Sequence, residues 1–215
     1  MEEYTIKQLE QSNYNVNELT KLYSKDIKGV LDLIQFTNLV ELDCSNNQIT
    51  DIINLPNGLI ILNCSHNQIN NLLNLPDSLI ELFCSNNQIT RLDNLPTRLK
   101  LLYCYCNQII ILDNLPESLS HLDCSCNQIT ILDNLPNSLT KLCCNENKIS
   151  QLSNLPKSLT HLDCYENPIS QLLNIPVSLM RLNIGKNQIT NLDDLEVKFP
   201  NINIWISCSQ DSDIY

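Results

Sequence analysis

The chain has 215 residues, 43% hydrophobic and 17% charged, with a net charge of -11 at pH 7. That acidity opposes polyanion binding and no basic run could neutralise a string of phosphates, so a nucleic-acid partner is disfavoured. No segment approaches the roughly 20 apolar residues of a membrane helix and the opening MEEYTIKQLEQ has no secretory pattern, so a cytoplasmic protein with no membrane partner is expected.

In the first 38 residues, Ile6, Leu9, Val16, Leu19 and Leu22 have the spacing of one or two short amphipathic helices. Ile27, Val30, Leu33, Phe36 and Leu39 come next at three-residue steps, like the second half of a slightly longer repeat. Residues 1–38 are therefore expected to be an N-terminal helical cap and an atypical first repeat, covering the open end of a regular repeat array that begins at Leu39.

From Leu39 to Lys198 the chain repeats every 20 residues, eight times without insertion, on the pattern L-x-x-L-x-C-x-x-N-x-I-x-x-L-x-x-L-P-x-x. Leu39, Leu42 and Cys44 alternate with other residues as a short strand with one buried face does. Three residues after each strand comes an Asn: Asn47, Asn67, Asn87, Asn107, Asn127, Asn147, Asn167 and Asn187. An amide has two donors and an acceptor, so stacked Asn side chains can satisfy successive bends of the backbone. Ile49 and Ile52 return to the core, and Leu55-Pro56 closes the far side, where Pro fixes φ and disfavours helix at the residue before it. At about 5 Å per strand, eight turns give a parallel sheet roughly 40 Å long. Beyond the repeats, Phe199, Ile202 and Ile204 continue the strand register, Ser207 stands where Asn would be, Trp205 and Ile206 finish a capping strand, and residues 209–215 read as an acidic tail.

These units resemble leucine-rich repeats, matching L-x-x-L-x-L-x-x-N/C-x-L over residues 39–198 with Cys in the third apolar place. The resemblance implies an α/β-type repeat solenoid, a horseshoe with a parallel β-sheet on its concave face and an extended, non-helical convex side. The 20-residue length and the L-P-x-S-L junctions, as at Leu75-Pro76-Asp77-Ser78-Leu79, are similar to the bacterial effector subclass. They are also similar to repeats abundant in amoebae and in large DNA viruses that infect them. Cys where the effector subclass usually has Val moves the match toward the viral group. The ubiquitin-ligase activity that usually accompanies effector repeats is not implied, because little sequence lies beyond residue 198. What the resemblance does imply is a protein partner, a host protein in the host cytoplasm if the viral likeness holds, and no cofactor.

Seven of the eleven Cys fall in one inward column, Cys44, Cys64, Cys84, Cys104, Cys124, Cys144 and Cys164, where thiols in a reducing compartment act as small apolar residues. Cys106 and Cys126 share a place just past the strand in neighbouring repeats, roughly 5 Å apart, and could pair under oxidation. Cys208 carries no signature. Cys143 faces outward among His121, Asp123, Lys141, His161 and Asp163, the one constellation resembling a thiol or metal site. Flanking carboxylates raise a thiol's pKa instead of activating it, and Lys141 separates the two His, so neither catalysis nor metal binding is expected there.

The outward strand positions are free to specify a partner. The first row holds Glu41, Ile61, Glu81, Leu101, His121, Lys141, His161 and Arg181, and the second holds Asp43, Asn63, Phe83, Tyr103, Asp123, Cys143, Asp163 and Asn183. Ile61, Phe83, Leu101, Tyr103 and Tyr105 make an apolar and aromatic centre, succeeded along the sheet by His121, Asp123, Lys141, His161, Asp163 and Arg181, the arrangement of an anchor cluster beside charge. The expected function is a non-catalytic protein-interaction module using this concave face. The alternatives are a structural, self-associating component working through Ile110, Ile111 and Ile131, as monomer or weak homodimer, and, last, a thiol- or metal-dependent enzyme.

Overall fold

The computed structural model describes residues 19–190, 197 and 202–206. Twelve strands succeed one another in the described residues: β1 (Lys21–Tyr23), β2 (Lys28–Asp32), β3 (Glu41–Asp43), β4 (Gln48–Ile53), β5 (Ile61–Asn63), β6 (Glu81–Phe83), β7 (Leu101–Tyr103), β8 (His121–Asp123), β9 (Lys141–Cys143), β10 (His161–Asp163), β11 (Arg181–Asn183) and β12 (Asn203–Trp205). All but β2 and β4 form one parallel sheet in chain order, and those two pair with each other on the return side. Residues 19–190 contain no helix, as the Leu-Pro junctions require. The molecule is a parallel-strand solenoid.

Within the main sheet, from β3 through β5 to β11, each strand pairs with its successor at an offset of 20 residues, Leu42 on Leu62, Leu62 on Leu82 and onward. In seven of the three-residue strands, β3, β5, β6, β7, β9, β10 and β11, the middle Leu is buried and its neighbours are half-buried on the outer face, which is the period-two pattern of the sequence. Behind the sheet lie Leu39, Ile49 and their equivalents, and every thiol of the seven-Cys column is fully buried. Burial also lifts those thiols far above their ordinary range, so they remain small apolar fillers.

The Asn column does more than satisfy its own bend. Asn67 Nδ2 donates to the carbonyls of Cys64 at 3.0 Å and Ser65 at 3.2 Å in its own turn and to Cys44 at 3.0 Å in the turn before, while its Oδ1 accepts from Ile49 N at 2.9 Å. The same four bonds recur at each of the eight Asn, including Asn47, Asn87, Asn147 and Asn187. Each amide therefore pins one turn to the previous one through two bonds of opposite polarity.

Two further columns were not legible as structural devices in the sequence. The residue before the ladder Asn and the Asn of the N-L-P segment sit in the left-handed region, as at Asn46 (φ 58°), His66 (φ 56°), Asn54 (φ 58°) and Asn74 (φ 55°). Asn is the non-glycine residue that best tolerates this conformation, which explains the run from Asn54 to Asn174. Each Pro carbonyl then closes a tight turn, Leu79 N donating to Pro76 O at 3.0 Å. The Ser two residues after Pro ties that turn backward: Ser138 Oγ donates to the carbonyls of Leu119 and Glu117, both at 2.6 Å.

The start of the solenoid departs from the expected helix. Leu22 is the buried centre of β1, paired with Leu42, while Ile6, Leu9 and Val16 lie outside the described residues. Leu19-x-x-Leu22 is the same L-x-x-L as Leu39-x-x-Leu42, and the open edge of β3 offers backbone partners that outweigh the helical spacing. This first turn has no Asn of its own, Ile27 standing at that place, but Ile27 N still donates to Asn47 Oδ1 at 2.9 Å, as the Ile of later turns does to the next Asn. Val30 is also displaced from its expected inward place: the register shifts between Gly29 (φ 78°) and Val30, leaving Val30 56% exposed and turning Leu31 inward. At the other end Ile204 pairs with Leu182; Phe199, Ser207, Cys208 and residues 209–215 lie outside the described residues.

Replacing Asn127 by Ala removes an acceptor for Ile109 N and donors to Cys104, Cys124 and Ser125 inside a buried ladder. The expected loss is about 3 kcal/mol of unfolding free energy in denaturant titration, from orphaned backbone groups. A loss under about 1 kcal/mol contradicts a stitching role.

Candidate interaction face

The concave sheet carries the two outward rows in register. Ile61, Leu101, His121, Lys141, His161 and Arg181 stand half-buried in the first row, with Phe83, Tyr103 and Asp163 half-buried in the second. Phe83 and Tyr103 are paired neighbours on β6 and β7, their ring centroids 5.2 Å apart and tilted by 56°. Tyr105 stands two residues beyond Tyr103, and these three rings wall an open depression of about 280 Å³ whose other lining is Ser, Asn and His. No charged Asp, Glu, Lys or Arg borders it, and Ser85 Oγ, buried at its wall, has no hydrogen-bond partner.

The second row also has a structural role that its residue types alone do not signal. Asp43, Asn63, Asp123, Asp163 and Asn183 each accept, through Oδ1, a bond from the backbone N–H two residues ahead, at 2.9 to 3.3 Å. These are Asx-type bonds that shape the exit from the strand. The Asp or Asn type at this place is therefore set by local geometry. Phe83, Tyr103 and Cys143 are the three members of the row whose side chains lack that short acceptor, so the solenoid's own geometry does not dictate them.

Asp123 departs from its expected place as a surface contact: it is 2% exposed, with Oδ1 on Ser125 N at 3.0 Å and Oδ2 without a partner. Burial raises its carboxyl above the usual range, partly offset by the bonds from Ser125. Asp163 is raised by burial as well. His121 and His161 are lowered, first by burial and then by neighbouring cations, Lys141 for His121 and Arg181 and Lys141 for His161. Their rings are oriented by hydroxyls, Ser120 Oγ lying 2.9 Å from His121 Nδ1 and Thr160 Oγ1 2.8 Å from His161 Nδ1.

Cys143 is the outward thiol expected from the sequence, and its pKa is raised, chiefly by burial and then by Asp123 and Asp163. Burial, more than the flanking charges, keeps it a thiol. His121 and His161 stand on β8 and β10 with Lys141 of β9 between them. Among the described residues no three His, Cys, Asp or Glu side chains gather as a metal site. At the ends of the face, residues are engaged within the chain: Tyr23 Oη donates to Glu41, which also pairs with Lys21, and Lys186 lies 5.1 Å above the Tyr165 ring while bonding Glu166. The return-side residues Ile110, Ile111 and Ile131 are 51%, 52% and 64% exposed, a second apolar surface.

A scan against protein-family models and a search of curated protein sequences find no match. Solved structures do match. The chain is similar to YopM from Yersinia enterocolitica (32% identity, TM-score 0.64, covering 78% of this chain and 43% of that one). It is similar to the functional domain of InlJ from Listeria monocytogenes, described as including a cysteine ladder (34% identity, TM-score 0.75, 86% of this chain and 43% of that one). It is also similar to the leucine-rich repeat domain of a Shigella effector (27% identity, TM-score 0.69, 81% of this chain and 84% of that one). The chain spans less than half the length of the first two. With its 20-residue turns, one strand per turn and Asn ladder, the chain is a leucine-rich repeat solenoid, an architecture that supports a protein-interaction module.

A carboxyl raised in the folded chain binds its proton more tightly there than in the unfolded chain, so Asp123 costs stability as pH rises through the carboxylate range. Asp123→Asn keeps an acceptor for Ser125 N and removes the buried charge. The variant is expected to melt higher than wild type at pH 7, with the gap closing as pH falls through that range. A gap independent of pH contradicts a buried, ionising Asp123.

Proposed function

We propose that the chain is a non-catalytic interaction module that holds a partner protein against its concave face, anchored on Phe83, Tyr103 and Tyr105 with Ile61 and Leu101 beside them. The observation that carries this reading is the paired Phe83 and Tyr103 rings, which stand at second-row positions held, Cys143 apart, by strand-capping Asp or Asn in the other turns. Half-buried aromatic rings on a rigid, continuously hydrogen-bonded sheet lose little conformational entropy on binding. His121, Lys141, His161, Asp163 and Arg181 supply a charged border that selects the partner's orientation. Asp123 acts from beneath this border. The reading extends to a host protein as partner and the host cytoplasm as location, on the resemblance of the Cys-bearing repeats to those of large DNA viruses.

The expected outcome of affinity capture from host-cell lysate is a partner retained by wild type and lost with Phe83→Ala/Tyr103→Ala, the variant keeping its circular dichroism and melting temperature. Retention of the same partner by the double variant sinks the concave-face assignment. A second reading, self-association, is favoured by the exposed Ile110, Ile111 and Ile131. It predicts a molar mass in light scattering that rises with concentration and reverts to monomer in Ile111→Asp/Ile131→Asp; a constant monomer mass removes it.

A further inference from the structure

Cys106 and Cys126 occupy one place on two adjacent turns, three residues past β7 and β8, and both are free and half-buried. Their φ angles are 52° and 51°, so their Cα–Cβ bonds leave the solenoid in nearly the same direction. The two turns are held side by side, Cys106 N donating to Ser125 O at 2.9 Å and Cys126 N to Asn145 O at 2.9 Å, with ladder residues Asn107 and Asn127 directly behind. Adjacent parallel turns lie about 4.8 Å apart, within the roughly 4.4–6.8 Å span of Cα atoms joined by a disulfide. Parallel Cβ atoms at that spacing are slightly wider than the usual range of about 3.5–4.5 Å, so a bond needs a small approach of the two turns and is strained. Strained, exposed disulfides are the readily reduced ones.

No other described thiols are placed this way. The seven-Cys column is fully buried, and Cys143 has Asp123 and Asp163 as its strand neighbours. In the Cys106 column the remaining turns carry Asp26, Asn46, His66, Asn86, Glu146, Glu166 and Lys186.

We propose that Cys106 and Cys126 form a reversible inter-turn disulfide, made by exchange with a small disulfide of the oxidised-glutathione class, at the rim of the concave face beside Tyr105. In the first step the Cys106 thiolate attacks one sulfur of the small disulfide, breaking its S–S bond and releasing one small thiolate. In the second the Cys126 thiolate attacks the Cys106 sulfur of the mixed disulfide and displaces the other small thiolate. The protons lost by the two Cys end on the released thiols, the protein pair being oxidised by two electrons and the small disulfide reduced by two. Burial and the neighbouring Cys106 and Glu146 hold Cys126 as a thiol, so its attack is the slower step and exchange quickens as pH rises. The bond ties the turn that carries Tyr105 to its successor and so stiffens the border of the aromatic depression.

The test is to incubate the folded protein with oxidised glutathione at mildly alkaline pH, block remaining thiols, and map the products by mass spectrometry. The expected result is a chain lighter by two hydrogen atoms, a cross-linked peptide joining residues 106 and 126, and return to the dithiol with reduced glutathione. Cys126→Ser, shown by circular dichroism to be folded, should instead stop with one glutathione on Cys106; Cys126→Ala serves if the Ser variant does not fold. A wild-type protein that stays reduced, stops at a mixed disulfide, or cross-links through another pair overturns the proposal.

Discussion

The fold depends on an amide that belongs to two turns at once. In a solenoid each turn buries its apolar face only against its neighbours, so turn-to-turn registration is the quantity that must be fixed. The ladder Asn fixes it with a donor to the preceding Cys carbonyl and an acceptor for the preceding Ile N–H, as Asn107 does with Cys84 and Ile89. With those bonds in place, successive Leu and Cys side chains stack at strand spacing and the core fills without helices on the convex side. The Ser and Pro of the junction repeat the device on the opposite side, where Ser158 reaches back to Leu139 and Asn137. Where the junction carries Ser, the turn is laced along both edges.

That lacing separates stability from recognition. Inward residues and the Asn, Ser and Pro columns hold the turns together, which leaves the half-buried concave rows to differ from turn to turn. The second row is less free than the first, because its Asp and Asn members shape the strand exits. Against this constraint Phe83 and Tyr103 stand out, since a ring offers the backbone no short acceptor and gains its energy from surface contact. The same contrast lowers the weight of the Asp123, Cys143 and His constellation. Its carboxylate is capped and buried, its thiol is held protonated by burial, and its two His are kept apart by a strand bearing Lys141.

Cys plays two roles by position alone. In the strand column it is a small apolar residue that lets adjacent turns approach, and nothing reaches it. Three residues past the strand, at Cys106 and Cys126, the same side chain is half-exposed, in the left-handed region, and next to its own copy. A change of two or three residues along the turn converts filler into a candidate for covalent chemistry.

The repeat period, the strand register, the inward Cys column and the ladder Asn were all legible in the sequence, because an unbroken 20-residue period makes every turn a measurement of the same local geometry. The outward rows were legible for the same reason, since period two leaves no choice of face. Besides the left-handed columns and the backward-reaching Ser, three things were not. Leu19 and Leu22 have helical spacing, and only the open edge of β3 draws Leu22 into a strand. Val30 and Leu31 exchange places through a register shift at Gly29 that no local pattern signals. The burial of Asp123 depends on what its neighbours on β7 and β9 cover, a property of packing across turns. The sequence by itself determined which residues face inward, because periodicity is a one-dimensional property. Only the tertiary structure decided how the ends pair, which polar groups lose their water and which outward side chains remain available, because those depend on atoms brought together from different turns.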